Sequence, residues 1–194
     1  LTSPNNLHTK QSIIACRFNK HVVTEKPMAL SYNNSVKMVT QFRKKNLHLF
    51  VVKQIRYNPI INELKKIIKK NIFGKLHLIN MNIFWNRSQE YYDSEKWRGS
   101  KKMDGGVFLN QTSHYLDILI NLFGEVYKVK SFMTKTRKNI DVEDTAASIL
   151  FFKSGMIGSF NVTMLNFDGN LETSLSVIGE KGTVKIGGKN LNKI

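Results

Sequence analysis

Two hydrophobic periods run along this chain, and the change from one to the other divides it. In the N-terminal part, short apolar runs alternate with amphipathic stretches. Residues 1–6 read as the end of a strand and a loop. A helix is predicted over 7–18, with Ile13, Ile14 and Ala15 as its apolar positions, and a short buried strand over 21–24. Ser31 is placed to cap a helix that runs to about residue 45, with Val36, Met38, Val39 and Phe42 inward. A further apolar strand covers 48–52. Strand, helix, strand, helix, strand with short links predicts a parallel sheet in an α/β domain.

Beyond residue 56 the period changes. Pro59 opens a helix to about residue 70, as its fixed φ suits a first turn. Residues 75–85 alternate like a long strand. Residues 86–102 are polar and aromatic without a period and read as a loop. A helix is predicted over 106–123, stopped by Gly124. Strands come next over 126–136, 145–152, 156–164, 171–178 and 183–186, with hairpin turns at Lys153-Ser154-Gly155 and Gly179-Glu180-Lys181-Gly182. The fold class is therefore α/β plus α+β: a parallel-sheet block over 1–56, then a mostly antiparallel sheet with helices on one face over 57–194.

Composition narrows the function. The longest apolar run is far below the roughly 18–20 residues needed to span a bilayer, and no signal-peptide pattern opens the chain. The one cysteine, Cys16, excludes an internal disulfide framework and a cysteine-based metal cluster; a reducing cytoplasm fits. The histidines show no metal-ligand spacing, so no metal is expected. The net charge is +16. Its lysines are scattered, with short runs such as Lys65-Lys66 and Lys69-Lys70 on the polar face of a predicted helix, so neither nucleic acid nor a membrane is expected as a partner. The chain opens without a methionine, at a strand end, and stops at Ile194 without a closing element, so it reads as a piece of a longer protein.

Three segments carry candidate chemistry. Glu25-Lys26-Pro27 comes after a predicted strand whose carboxyl end would face a ligand crevice. A lysine there can donate to a substrate oxygen, although a solvated turn lysine is the ordinary alternative. Gly105-Gly106 leads to Asn110, His114 and Asp117, which would share a face of one helix. An imidazole titrates near neutral pH and accepts a proton from an alcohol; a core histidine bonded to a carbonyl is the alternative. Paired glycines let backbone approach a ligand. Arg87, Tyr91, Trp97 and Arg98 sit in the aperiodic loop, where arginine can pair with phosphate or carboxylate and aromatic rings can stack on a base. No Gly-x-Gly-x-x-Gly occurs in the chain.

These residues resemble the glucose–fructose oxidoreductase/inositol dehydrogenase (Gfo/Idh/MocA) family of NAD(P)-dependent sugar dehydrogenases. The likeness lies in Ser3-Pro4-Asn5-Asn6-Leu7-His8, Glu25-Lys26-Pro27 and Gly105-Gly106 leading to His114, collinear over nearly the whole chain. Residues 50–58 and 84–93, with Trp97-Arg98-Gly99 and Asn161-Val162-Thr163-Met164-Leu165, are similar to one subfamily. It comprises the bacterial UDP-N-acetyl-2-amino-2-deoxyglucuronate 3-dehydrogenases of lipopolysaccharide and other surface-polysaccharide synthesis. The resemblance implies the C-terminal half of a Rossmann domain followed by an α+β domain whose open sheet face forms a homo-oligomer, a tetramer or dimer. It implies NAD as cofactor, with Asn5, His8, Glu25, Lys26 and Gln54 on the cofactor side. Lys26, His114 and Asn110 would be catalytic, and Arg87, Tyr91, Trp97, Arg98 and Asn110 would contact a nucleotide-sugar. Many family members carry aspartate where this chain has Asn110; the subfamily has asparagine. The implied reaction is oxidation of the 3-hydroxyl of a UDP-linked N-acetylhexosaminuronate. Another sugar or polyol dehydrogenase of the family, or a non-catalytic fragment, is the alternative. The pyrophosphate loop would lie outside this segment, so the segment alone is expected to bind NAD weakly.

Overall fold

The computed structural model describes residues 1–188 and 191–193; the expected end of the second domain at residue 194 lies outside the described residues. The chain packs as two compact units. One comprises Leu1–Lys53, Glu90–Ser113 and Asn139–Val142, the other Gln54–Gln89, His114–Lys138 and Glu143–Ile194. The first unit is thus discontinuous, a feature that consecutive blocks of 1–56 and 57–194 do not contain.

In the first unit, a single 3₁₀ turn at Asn5–Leu7 leads into α1 (His8–Arg17). Then come β1 (Val22–Thr24), α2 (Tyr32–Lys44) and β2 (Leu49–Val51). β1 and β2 pair in parallel, Val22 opposite Leu49 and Thr24 opposite Val51. The opening residue runs beside β1: Leu1 donates to the Val23 carbonyl at 2.6 Å and accepts from Glu25 N–H at 2.9 Å. Ser31 caps α2 as predicted, its Oγ accepting from Asn34 N–H at 3.2 Å. Cys16, Val22 and Phe42 form the core with Ala15, Leu47 and Leu49 around them, and Met38 is fully buried. Val36, expected inward, is 44% exposed. It lies two residues from Met38, about 200° around the helix. Within the stretch expected to be loop, Gln89–Asp93 forms a short helix, α4. It is too short to show a period, and Tyr92 after its first turn is buried with Ile140 and Val142.

The second unit begins with a 3₁₀ turn at Gln54–Tyr57 and α3 (Pro59–Lys69). Asn58 caps α3, its Oδ1 accepting from Ile60 N–H at 2.9 Å, and the helix buries Ile61 and Leu64. The unit also holds β3 (Leu76–Phe84) and α5 (Ser113–Phe123). Then come β4 (Val126–Thr134), β5 (Thr145–Phe152), β6 (Ile157–Thr163), β7 (Glu172–Gly179) and β8 (Thr183–Ile186). The six strands order as β4-β5-β6-β3-β7-β8. All neighbours are antiparallel except β3 and β6, which run in parallel from Leu78/Ile157 to Phe84/Thr163.

Alternation along these strands gives the sheet two different faces. Ile79, Met81, Ile83, Phe160, Val162, Leu175 and Val177 are almost wholly buried on one. Phe123 of α5 meets Phe152 of β5 on this side, ring edge to face at 6.4 Å. The other face carries Leu78, Ile149, Ile157 and Ile178, each about 40% exposed, and Phe132 at 85%. No closing element was expected at the C-terminus, yet Gly187 and Lys193 form an antiparallel bridge that buries Leu191.

Candidate active site

The chain leaves β1 at its carboxyl end through Glu25-Lys26-Pro27, and the Lys26–Pro27 peptide is cis. Val52 N–H donates to the Thr24 carbonyl at 2.9 Å, so β2 supports the last residue before this segment. His8, at the start of α1, is fully buried; its Nδ1 lies 2.8 Å from the Pro27 carbonyl and its Nε2 2.9 Å from the Ser3 carbonyl. His8 was expected on the cofactor side. Its ring lies between the Pro27 and Ser3 carbonyls, away from solvent.

Lys26 Nζ donates to both oxygens of Asn110, the backbone carbonyl at 3.0 Å and Oδ1 at 2.7 Å. Asn110 is buried, and its Nδ2 donates to Asp104 Oδ1. The other oxygen of Asp104 accepts Gly99 N–H at 2.8 Å, and its main-chain carbonyl accepts Asn5 Nδ2 at 3.0 Å. Burial lowers the proton affinity of the Lys26 amine, against the opposing pull of Glu25 and Asp104. Burial likewise raises the proton affinity of Asp104, opposed by its bonds to Gly99 and Asn110 and by the charges of Lys26 and Arg98. A groove of about 260 Å³ opens here, lined by Ser3, Asn5, Glu25, Lys26, Trp97 and Asn110 among others. Five residues singled out in the sequence, Asn5, Glu25, Lys26, Trp97 and Asn110, therefore meet at one place from four separate stretches of the chain.

The glycine pair shapes this place differently from the prediction. Gly105 and Gly106 both have φ near +90°, and Gly106 combines it with ψ −174°, a conformation open almost only to glycine. A Cβ on Gly105 would come within 2.8 Å of Leu30 Cδ2, so that side chain crowds it. The next residues, Val107–Gln111, form a π-turn, with Thr112 N–H donating to the Val107 carbonyl at 2.9 Å. The single helix predicted over 106–123 is therefore broken at Thr112, and the four-residue step from Asn110 to His114 does not define a shared α-helical face.

Tyr91 and Arg98 are engaged with each other. The Arg98 guanidinium lies 4.2 Å from the Tyr91 ring centroid and 5.6 Å from that of Trp97, and its Nη1 donates to the Tyr91 carbonyl at 3.2 Å. Tyr91 Oη accepts from Gln111 Nε2 at 2.7 Å. These contacts pack the loop against the π-turn.

In the second unit, His114 sits in the first turn of α5 and is buried. Asp117, one turn on, forms a two-pronged pair with Arg56, both bonds at 2.6 Å; it anchors α5 to the turn that Gln54 opens. Gln54 itself is exposed. Arg87 stacks 4.8 Å over the Trp85 ring and donates to the Asn86 carbonyl at 2.7 Å. Trp85 donates to Thr173 Oγ1 at 2.7 Å, and burial pushes the neighbouring Tyr115 phenol up to about 12. Among the described residues, no three His, Cys, Asp or Glu side chains cluster as a metal site would require.

Asp104 is the site residue that sequence reasoning missed. The available signal was its position directly before the paired glycines, six residues ahead of Asn110.

The chain thus combines a parallel strand pair that presents Lys26 bonded to a buried amide with a mostly antiparallel six-stranded sheet. Residues 1–53 match the oxidoreductase family with an NAD-binding Rossmann fold, and residues 61–185 match the GFO/IDH/MocA C-terminal domain. The chain belongs to the GFO/IDH/MocA family, as the motifs around Lys26 and His114 indicated. Among solved structures it is similar to the WlbA dehydrogenase of Bordetella pertussis, crystallised with NADH and UDP-GlcNAcA. The identity is 43% and the TM-score 0.97, covering 99% of this chain and 60% of that one. The WlbA dehydrogenase of Chromobacterium violaceum, crystallised with the same two molecules, is 45% identical with a TM-score of 0.93, over 96% and 54% of the two chains. Myo-inositol 2-dehydrogenase of Thermotoga maritima is 26% identical over 94% of this chain and 54% of its own length. The chain thus spans about half the length of the curated relatives it matches.

Proposed function

We propose that this chain belongs to an NAD-dependent dehydrogenase that oxidises the 3-hydroxyl of UDP-GlcNAcA to a 3-keto sugar. The observation that carries the reading is the Lys26 ammonium, held by both Asn110 oxygens in a groove at the carboxyl end of β1. Identity of 43% and 45% to two dehydrogenases that hold UDP-GlcNAcA supports the choice of sugar.

The groove suits the reacting end of a dinucleotide. It lies where parallel strands end, and at about 260 Å³ it has room for a part of the cofactor. Asn5, Glu25 and Lys26 would hold that part, with Gln54 also assigned to the cofactor, and bound NAD⁺ supplies the hydride acceptor. An ammonium has three N–H donors, and Asn110 takes two of them. The third donates to the substrate oxygen and stabilises the charge that grows there as its proton leaves, an effect worth about 10²–10³ in rate. His114 takes that proton, worth about 10²–10⁴. Asn110 carries no exchangeable acidic proton, so it positions Lys26 and the sugar. Trp97, at the groove edge, offers a ring face to the substrate; Arg87 and Arg98 supply positive charge for the diphosphate or uronate.

On the same reading the enzyme works in cytoplasmic surface-polysaccharide synthesis and is a homo-oligomer, a tetramer or dimer, through the open sheet face that bears Phe132, Ile149 and Ile157. Among the described residues no helix is long and apolar enough to cross a membrane.

The test incubates the full-length protein with NAD⁺ and, separately, UDP-GlcNAcA, UDP-GlcNAc and myo-inositol, following nicotinamide reduction, with a 2-oxoacid present to turn over retained cofactor. Reduction with the uronate alone, lost in Lys26→Ala and His114→Ala, is expected. Reduction with myo-inositol and not the uronate would replace this substrate by a polyol, and no reduction with any of the three would remove the reading.

A further inference from the structure

The Asn110 side chain joins two groups with opposite needs. An ammonium only donates and a carboxylate only accepts. Lys26 Nζ therefore requires the amide oxygen, and Asp104 requires the amide NH₂; one orientation of the Asn110 amide satisfies both, and the flipped orientation satisfies neither. Asp104 is built into this position rather than attracted to it. It is 3% exposed, its second oxygen is occupied by Gly99 N–H, its own N–H donates to the Ser100 carbonyl at 2.8 Å, and its carbonyl holds the Asn5 amide.

We propose that Asp104 is the positioning residue of this site: its buried carboxylate fixes the Asn110 amide with Oδ1 toward Lys26 Nζ, and so holds the ammonium in the groove. Asn110 relays to Lys26 a carboxylate that lies six residues earlier in the chain. The charge still reaches Lys26, but through an amide that cannot carry a proton. Glu25 and Asp104 are the two charges that act on Lys26, and Lys26 and Arg98 those that act on Asp104. The role of Asp104 in the reaction rests on the reading of Lys26 as the oxyanion donor; its hold on Lys26 is measurable without that reading.

Asp104→Asn keeps the shape and removes the charge. With one acceptor where two were, the residue can serve Gly99 N–H only by turning its NH₂ toward Asn110. That flips the Asn110 amide and points its NH₂ at the ammonium. Trace labelling of the full-length protein with acetic anhydride across pH, read by mass spectrometry at Lys26, reports the protonation of the amine without any substrate. The Asp104→Asn curve is expected to move to lower pH, with Lys26 labelled severalfold more at a given pH. Asn110→Ala, which keeps the carboxylate and cuts the link, is expected to do the same. Combined with Asn110→Ala, Asp104→Asn is expected to add little. An unchanged curve in either single variant, or an equal effect of Asp104→Asn with and without Asn110, would overturn the assignment. Should Asp104→Asn fail to fold, Asp104→Ala takes its place and is read by the same curve, with and without Asn110→Ala. A shifted curve in a protein that oxidises none of the sugars would keep the assignment and remove the proposed reaction.

Discussion

At the scale of single residues, burial determines what each candidate can do. Lys26 is half-buried between Glu25 and Asn110, and desolvation holds its proton affinity below that of an exposed lysine. Only the ammonium brings a positive charge to a developing oxyanion, so activity should decline as pH rises through a value below the ordinary lysine range. A pH profile of kcat for the full-length protein checks this; a plateau that persists into the normal lysine range would refute it. Lys26→Arg should not restore activity, because a planar guanidinium cannot reproduce the tetrahedral fan of donors that meets Asn110 and a substrate together. His8 illustrates the opposite case. The sequence marks it through its place in a family motif, and the structure uses it as a buried tie between the Ser3 and Pro27 carbonyls. His8→Ala takes the ring from between them and leaves the carbonyl that accepts its N–H without a partner, which should cost about 1–3 kcal/mol. His21→Ala, at an exposed histidine, should cost far less in the same thermal denaturation series.

At the scale of elements, turn chemistry was legible and helix continuity was not. Ser31 and Pro59 announced their helices because helix starts are a local matter of one side chain and the next few amides; the Asn58 cap came to light only in the structure. The π-turn at Val107–Gln111 has no such signature: apolar residues in Val107-Phe108-Leu109 suit an α-helix equally well, and the extra residue per turn shows only in the hydrogen bonding. Gly106 sets its entry. Gly106→Ala should cost about 1–3 kcal/mol, since a Cβ disfavours φ +90°, ψ −174°. Gly155→Ala, at a hairpin with φ +86° where a Cβ would meet nothing, gives the cost of a positive φ without steric contact; denaturant melts of the two compare them. The Arg56–Asp117 pair looks strong by geometry, but Arg56 is 44% exposed, so its removal should cost about 1 kcal/mol or less.

At the scale of the whole molecule, the buried sheet face carries the core of the second unit. Phe160 on β6 is fully buried, and Phe160→Ala should destabilise by about 3–5 kcal/mol in equilibrium unfolding, whereas Phe132→Ala, 85% exposed, should leave a monomeric unit's stability almost unchanged. Alternation along the chain is enough to read these strands and their buried faces. Periods of two and 3.6, capping residues and glycine turns determined the elements, the parallel start and the antiparallel remainder, because each depends on neighbours a few residues away. Tertiary structure alone decided the rest. That β3 lies parallel to β6, that 90–113 returns to the first unit, that His8 is buried beneath a loop and that Asp104 reaches Lys26 through Asn110 all arise from pairing between distant segments. Local periodicity carries no information about which distant segment a side chain will meet, and desolvation, which sets the chemistry of Lys26 and Asp104, exists only once they have met.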